Sequence, residues 1–518
     1  MATEQQFAEL IKQGYSFKGE NVKIGRAFLN GKPVEGADIF LPLKMMNRHG
    51  LIAGATGTGK TKTLQVFAEC LSDASIPVLL LDIKGDLSGI AMPGMINEKI
   101  TERSKLLGLE YQPAQYPAEI LSLSTQKGVK LRATVTEFGP ILLSKVLSLN
   151  DTQTGVVSII FKYCDDHKLP LLDLKDFIKV LQHITDKKKA ELESNYGYIA
   201  PASLGIILRK VIELQQQGGD QFFGEKSFEV EDLMRTDESG RGIINILRVN
   251  DLQDKPQLFS TFMLQLLAEL YAVNPEKGDM DKPRLVLFID EAHLIFQEAS
   301  KALLQQIETV VKLIRSKGIG VFFVTQNPSD VPAAVLSQLG MKVQHALRAF
   351  TAADRKLIKQ AAENYPESSF YQTDELLTQL GTGEALVTML NERGTPTPLA
   401  HVMLRPPKSR MDVLSAEEIE QLVDKSVLVP KYNYPLDSES AYEILNSKLD
   451  EAAEKTINRE PEKTEDKKKK QKKENEDTIF LDNPLVRSAA RTAVNIITRS
   501  LLGALGLGGR SRKRSYMN

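Results

Sequence analysis

Eight residues, Gly54-Ala55-Thr56-Gly57-Thr58-Gly59-Lys60-Thr61, constrain this chain more than any other segment. They fit the phosphate-loop pattern G-x-x-x-x-G-K-[ST] without a mismatch. Glycines there let the backbone turn sharply and aim N–H groups at phosphate oxygens, where a Cβ would intrude. Lys60 is placed to reach β- and γ-phosphates, and the Thr61 hydroxyl to ligate Mg²⁺. The flanks agree: Gly50-Leu51-Ile52-Ala53 is a short apolar run, and Thr63 to Ala68 reads as helix. A strand–loop–helix setting adds the positive end of a helix dipole to the loop. The nucleotide-binding stretch is therefore Gly54, Ala55, Thr56, Gly57, Thr58, Gly59, Lys60, Thr61 and Lys62. The plainer alternative is a glycine-rich turn carrying a surface lysine.

A second half of such a site lies far along the chain. Leu285-Val286-Leu287-Phe288-Ile289 is an apolar run ending in Asp290-Glu291. A carboxylate at a strand end can hold Mg²⁺ beside Thr61, which assigns metal binding to Thr61 and Asp290. Glu291, next along, suits a general base that polarises an attacking water. The alternative is a strand running into an acidic helix cap. Gln326 ends the following strand, in Thr325-Gln326-Asn327-Pro328, where it faces the same crevice or merely closes a turn. Arg315, in Leu313-Ile314-Arg315-Ser316-Lys317-Gly318, either complements a helix dipole or supplies a transition-state cation, in cis or to a neighbouring subunit.

The rest of the chain reads as α/β. Residues 1–45 form a small β-rich segment, with strand patterns at Val22–Gly25 and Ala37–Pro42 around an Asn30–Pro33 turn. Residues 46–125 open the core with the phosphate loop and the continuous apolar run Ile76–Asp82, the mark of a parallel strand buried on both faces. Over 126–235 helical spacing takes over, at Val156–Cys164, Leu174–Ile184 and Ala202–Gln216, implying a helical insertion. Residues 236–410 resume strand–helix alternation through Ile243–Val249, Asp290 and Gln326, which implies a mainly parallel sheet.

Charge is segregated. The formal total is −1, yet 478–518 carries seven basic residues against Asp482 alone, leaving the remainder at −7. Before it, 411–477 is a helical and charged linker whose part 459–477 mixes seven lysines and Arg459 with seven acidic residues. Cys70 and Cys164 lack metal-ligand spacing, so a disulfide framework and a zinc site are not expected. The polar Met1–Gln6 start does not read as a signal peptide, and no run of 18 apolar residues exists, so the expected location is cytoplasmic.

The order of these motifs carries a resemblance. The phosphate loop, Leu81-Asp82-Ile83-Lys84-Gly85-Asp86, Ile289-Asp290-Glu291-Ala292 and Arg315-Ser316-Lys317-Gly318-Ile319-Gly320 leading into Thr325-Gln326-Asn327-Pro328 resemble the HerA/FtsK group of P-loop ATPases. Within it the chain is similar to the HerA-like bacterial proteins of the DUF853 (YjgR-type) family over residues 20–410. The resemblance implies a RecA-like core that binds and hydrolyses ATP with Mg²⁺, a homo-oligomer that is hexameric in better-known members, and translocation of double-stranded DNA. It assigns the catalytic roles to Lys60, Glu291, Gln326 and Arg315. It also likens the N-terminal β segment to a shortened HerA-type barrel. A motor acting on protein substrates, or a slow nucleotide-gated assembly module, remains open. Asp290-Glu291-Ala292-His293 also spells DEAH, but that helicase class needs a second fused core, and only 228 residues follow Asp290. His293 is read as a helix-start residue.

The basic C-terminal tail has three readings. Asn483-Pro484 opens a helix pattern with Arg487, Arg491 and Arg499 on one face and Val486, Ala490, Ala493, Ile497 and Leu501 on another. It fits a membrane or partner-protein helix, a nucleic-acid arm, or a solubilising tail.

Overall fold

The structure is a computed structural model that describes residues 3–185, 194–276, 280–298, 301–434, 436 and 438–447. The charged stretch 459–477 and the basic tail 478–518 lie outside the described residues. Chain contacts group the described residues into two units. One runs to Leu131 and resumes over Phe228–Tyr434; the other comprises Arg132–Ser227 and the residues after 434.

The first unit is built on a 12-stranded sheet. In chain order its strands are β1 (Asn21–Leu29), β2 (Lys32–Pro42), β3 (Gly50–Ala53), β4 (Val78–Asp82), β5 (Ala118–Ser122) and β6 (Val129–Lys130). They continue with β7 (Ile244–Arg248), β8 (Leu285–Ile289), β9 (Ile319–Thr325), β10 (Met341–Gln344), β11 (Glu384–Thr388) and β12 (Ala400–Leu404). The spatial order is β2-β1-β12-β11-β10-β3-β9-β8-β4-β7-β5-β6. From β10 to β6 every pairing is parallel. The apolar runs at β3, β4, β8 and β9 are buried at every position, as a parallel sheet covered on both faces requires. This is the α/β P-loop class that the strand–helix rhythm implies.

The other end of the sheet is antiparallel. β1 and β2 form a hairpin through Asn30 (φ 52°) and Gly31 (φ 76°), the left-handed pair that suits a tight turn. This hairpin joins the sheet edge through β12, with Gly25 opposite Leu404, rather than closing into a barrel of its own. A helix, Glu4–Gly14, precedes it, capped by Thr3 and Gln6. Its buried Phe7 packs edge-on against Phe370 and Tyr371, with ring centroids 5.1 and 5.8 Å away. Only Phe7 and Ile11 of that helix are buried, too sparse a stripe to announce it in the sequence.

The second unit is helical. Val135–Val146, Asp151–His167, Leu174–His183 and Pro201–Leu214 cover the three spans of helical spacing and add one. Thr134, Asn150 and Asp173 each close a capping box, which fixes where three of them start. Among the described residues no helix is long and apolar enough to cross a membrane.

Candidate functional site

The phosphate loop leaves β3 at Ala53 and enters the helix Lys60–Asp73. Two glycines are required by its shape. Gly54 adopts φ 154°, and a Cβ there would meet the His345 Cβ at 2.5 Å. Gly59 adopts φ 116° beneath the Gly383 backbone, 3.1 Å from where its Cβ would stand. The loop is pinned on three sides. Gly54 N–H donates to Thr325 O (3.2 Å), Ala55 N–H to Ala346 O (2.8 Å), and Gly383 N–H to Thr58 O (2.9 Å). Thr56 and Gly57 stay exposed, while Thr58 and Lys60 are buried and Thr61 half-buried. Lys60 Nζ donates to Ala55 O at 3.2 Å, so its ammonium lies inside the loop. Lys62 is turned away, its Nζ on Met411 O and Gln65 Oε1.

The sheet order then brings the remaining groups alongside. β3 neighbours β9, β9 neighbours β8 and β8 neighbours β4, all parallel. Gln326, Asp290-Glu291 and Asp82 therefore emerge next to the phosphate loop at one sheet end, the carboxyl end where open α/β sheets bind ligands. Asp82 is an anchor: its carboxylate accepts from the N–H groups of Gly85 (2.7 Å), Asp86 (3.1 Å) and Leu87 (3.2 Å). Burial, with Asp86 nearby, still lifts it to about 6 against those bonds. Asp290 is buried, and its Oδ1 accepts from Glu291 N–H at 2.9 Å. Its Oδ2 has no hydrogen-bond partner among the described residues. Burial and the adjacent Glu291 raise Asp290 to about 7, with Lys84 pulling the other way. A buried carboxylate oxygen left open beside a phosphate loop fits a Mg²⁺ ligand.

Two further residues contact Glu291. Lys84 Nζ forms an ion pair with Glu291 Oε1, and His293 Nδ1 lies 3.1 Å from Oε2. Burial and Lys84 lower the Lys60 ammonium, while Glu291, Asp290 and Asp86 act in the opposite sense, so these charges share one locus. His293 does open the helix Ala292–Glu298, yet it also faces Glu291. Lys84 carries no signal of its own in the sequence; only its place two residues after a strand ending in Asp82 hinted at this crevice.

Arg315 is not brought to this locus. It sits in the turn Ile314–Lys317 that precedes β9, whereas Thr325, beside the loop, ends β9. The seven residues of β9, at ~3.3 Å each, separate the two ends by roughly 20 Å. Arg315 instead lines a cavity of about 320 Å³ together with Arg48, His49, Lys312 and Lys342.

His345 supports the loop from below. Its Nδ1 lies 2.8 Å from Glu384 O, a pure acceptor, so Nδ1 carries the proton and Nε2 accepts from Thr63 Oγ1 at 2.8 Å. Burial, with Lys60 adding to it, lowers this imidazole to about 4, although the Glu384 bond opposes the shift. The folded value lies below the unfolded ~6.5, so the neutral form's contribution is present above ~6.5 and lost as pH falls through about 4. Denaturant unfolding of the wild type and His345→Gln is expected to show a stability difference of about 2–3 kcal/mol at neutral pH that shrinks on acidification. A difference constant from pH 7.5 to 4 would contradict this.

The chain is similar to known proteins over most of its length. The sequence model of the family described as helicase HerA-like C-terminal matches residues 28–513. The DNA double-strand break repair helicase HerA of Sulfolobus acidocaldarius is 20% identical over 377 residues, 72% of this chain and 67% of the relative. The protein of the same name from Saccharolobus solfataricus is 24% identical over 387 residues, 73% of this chain and 68% of the relative. Among solved structures, the bacterial conjugative coupling protein TrwBdeltaN70 superposes with a TM-score of 0.50 at 15% identity, covering 79% of this chain and 94% of that one.

Proposed function

Because the chain belongs to the helicase HerA-like C-terminal family, we propose that it is an ATP-hydrolysing P-loop motor, working as a homo-oligomer on double-stranded DNA in the cytoplasm. The observation that carries the reading is the convergence of Lys60, Asp290 and Glu291 on one phosphate loop at the carboxyl end of a parallel sheet. The loop N–H groups and Lys60 would hold the β- and γ-phosphates, with Thr61 and Asp290 available to a Mg²⁺ ion. Bound there, Mg²⁺ supplies charge neutralisation for the phosphates. Glu291 takes a proton from the attacking water as its oxygen bonds to the γ-phosphorus, and the β–γ bridging oxygen leaves with ADP. Gln326, just after the strand between, would orient that water.

The Arg315 position supports the oligomer. A cation that cannot reach its own loop is useful to catalysis only when it faces a neighbour's, and a closed ring of subunits, a hexamer on this reading, presents it that way. The test is ATP turnover per subunit against protein concentration, with and without duplex DNA, using Lys60→Ala as the inactive control. Turnover is expected to rise with concentration and with DNA. A rate per subunit independent of concentration, from protein monomeric by light scattering, would sink the oligomer. Stimulation by unfolded protein but not by DNA would favour a protein-directed motor.

A further inference from the structure

We propose that Lys84 restrains Glu291, so that hydrolysis requires their ion pair to open; this rests on Glu291 being the base and deepens that reading. A general base needs a carboxylate lone pair directed at the water it activates. In the structure both oxygens of Glu291 are buried, and Oε1 is engaged by an ion pair. Lys84 Nζ holds Oε1 and His293 Nδ1 lies 3.1 Å from Oε2, around a side chain only 4% exposed. Glu291 itself sits at φ 46°, a left-handed conformation unfavourable for a side-chain-bearing residue.

The two partners differ in freedom. His293 is two residues from Glu291, in the first turn of the helix Ala292–Glu298. Lys84 comes from the neighbouring strand's loop, whose backbone is fixed by the three N–H bonds to Asp82, while its side chain is 36% exposed and can swing. Its charge also acts on Lys60, which places the ammonium at the phosphate end of the site. A γ-phosphate entering the loop offers that ammonium a more highly charged anion than a single carboxylate. The ammonium is shared between Glu291 and the phosphate once the loop is filled, so only the fraction of filled sites in which the pair has opened leaves Oε1 free for water.

The experiment is steady-state ATPase kinetics on the full chain, wild type against Lys84→Ala, Lys84→Gln and Lys84→Arg, each with a thermal melt. Without DNA, Lys84→Ala and Lys84→Gln are expected to raise kcat roughly 3- to 10-fold, the loosening of a partly buried ion pair, while KM for ATP rises because the phosphate loses a partner. Lys84→Arg, which keeps the charge, is expected to raise kcat less than either neutral variant. A rise in kcat is an effect that structural damage does not produce. An unchanged or lowered kcat in both neutral variants overturns the restraint. If Lys84→Ala combined with Glu291→Gln still turns over as fast as Lys84→Ala alone, Glu291 is not the base, and the site reading fails rather than the restraint only.

Discussion

Glu291→Gln is expected to cut ATP turnover by roughly 10²- to 10⁴-fold while ATP binding persists, because the amide keeps the shape of the side chain and loses its basicity. The position makes the expectation sharp. Glu291 is the second residue after β8, next to Asp290, with Lys84 in an ion pair and Lys60 within electrostatic reach. On the proposed reading, nucleotide binding depends on other groups: the loop N–H groups, Lys60 and the helix Lys60–Asp73. Binding of a fluorescent ATP analogue, measured beside turnover, separates the two. Loss of binding together with turnover would show that Glu291 shapes the loop rather than the chemistry.

Arg315→Ala is expected to lower turnover by about 10³-fold or more with ATP binding retained, the effect of removing a transition-state cation. If Arg315 is that cation it acts between subunits, since β9 holds it roughly 20 Å from its own phosphate loop. Mixing settles the point. Lys60→Ala and Arg315→Ala proteins are each inactive alone, but a mixed assembly contains interfaces where an intact Lys60 meets an intact Arg315. Recovery of turnover on mixing is expected; a mixture as inactive as its components would remove the proposed role. His49, buried behind the same cavity, accepts from Val321 N–H at 3.0 Å and is lowered to about 4 by burial, opposed by a backbone contact and helped by Arg315.

Much of the site was legible in the residues. The phosphate loop identified itself by spacing, because only glycines tolerate its backbone and only a lysine and a hydroxyl suit its ligand. The strands β4, β8 and β9 were legible because burial on both faces leaves an uninterrupted apolar run. Arg315 was legible as a residue but not as a location, since a pattern before a strand does not say which sheet end it occupies relative to the loop. Lys84 was legible only as a member of the segment after Asp82, and His345 not at all. A lysine in a loop and a histidine after a short strand have no local signature, and their roles come from contacts with Glu291, 207 positions away, and Thr63, 282 positions away.

The sequence by itself determined the chemistry and the class of the fold, because phosphate binding and parallel-strand burial are imposed by residue type over a few neighbouring positions. What the tertiary structure alone decided was adjacency. The placement of β9 between β3 and β8 brings Gln326 and Glu291 beside the loop and carries Arg315 away from it, and the edge pairing of β1 with β12 joins residues 379 positions apart, Gly25 and Leu404. Strand order is set by how whole faces bury against one another, a global free-energy choice that no short window of sequence records.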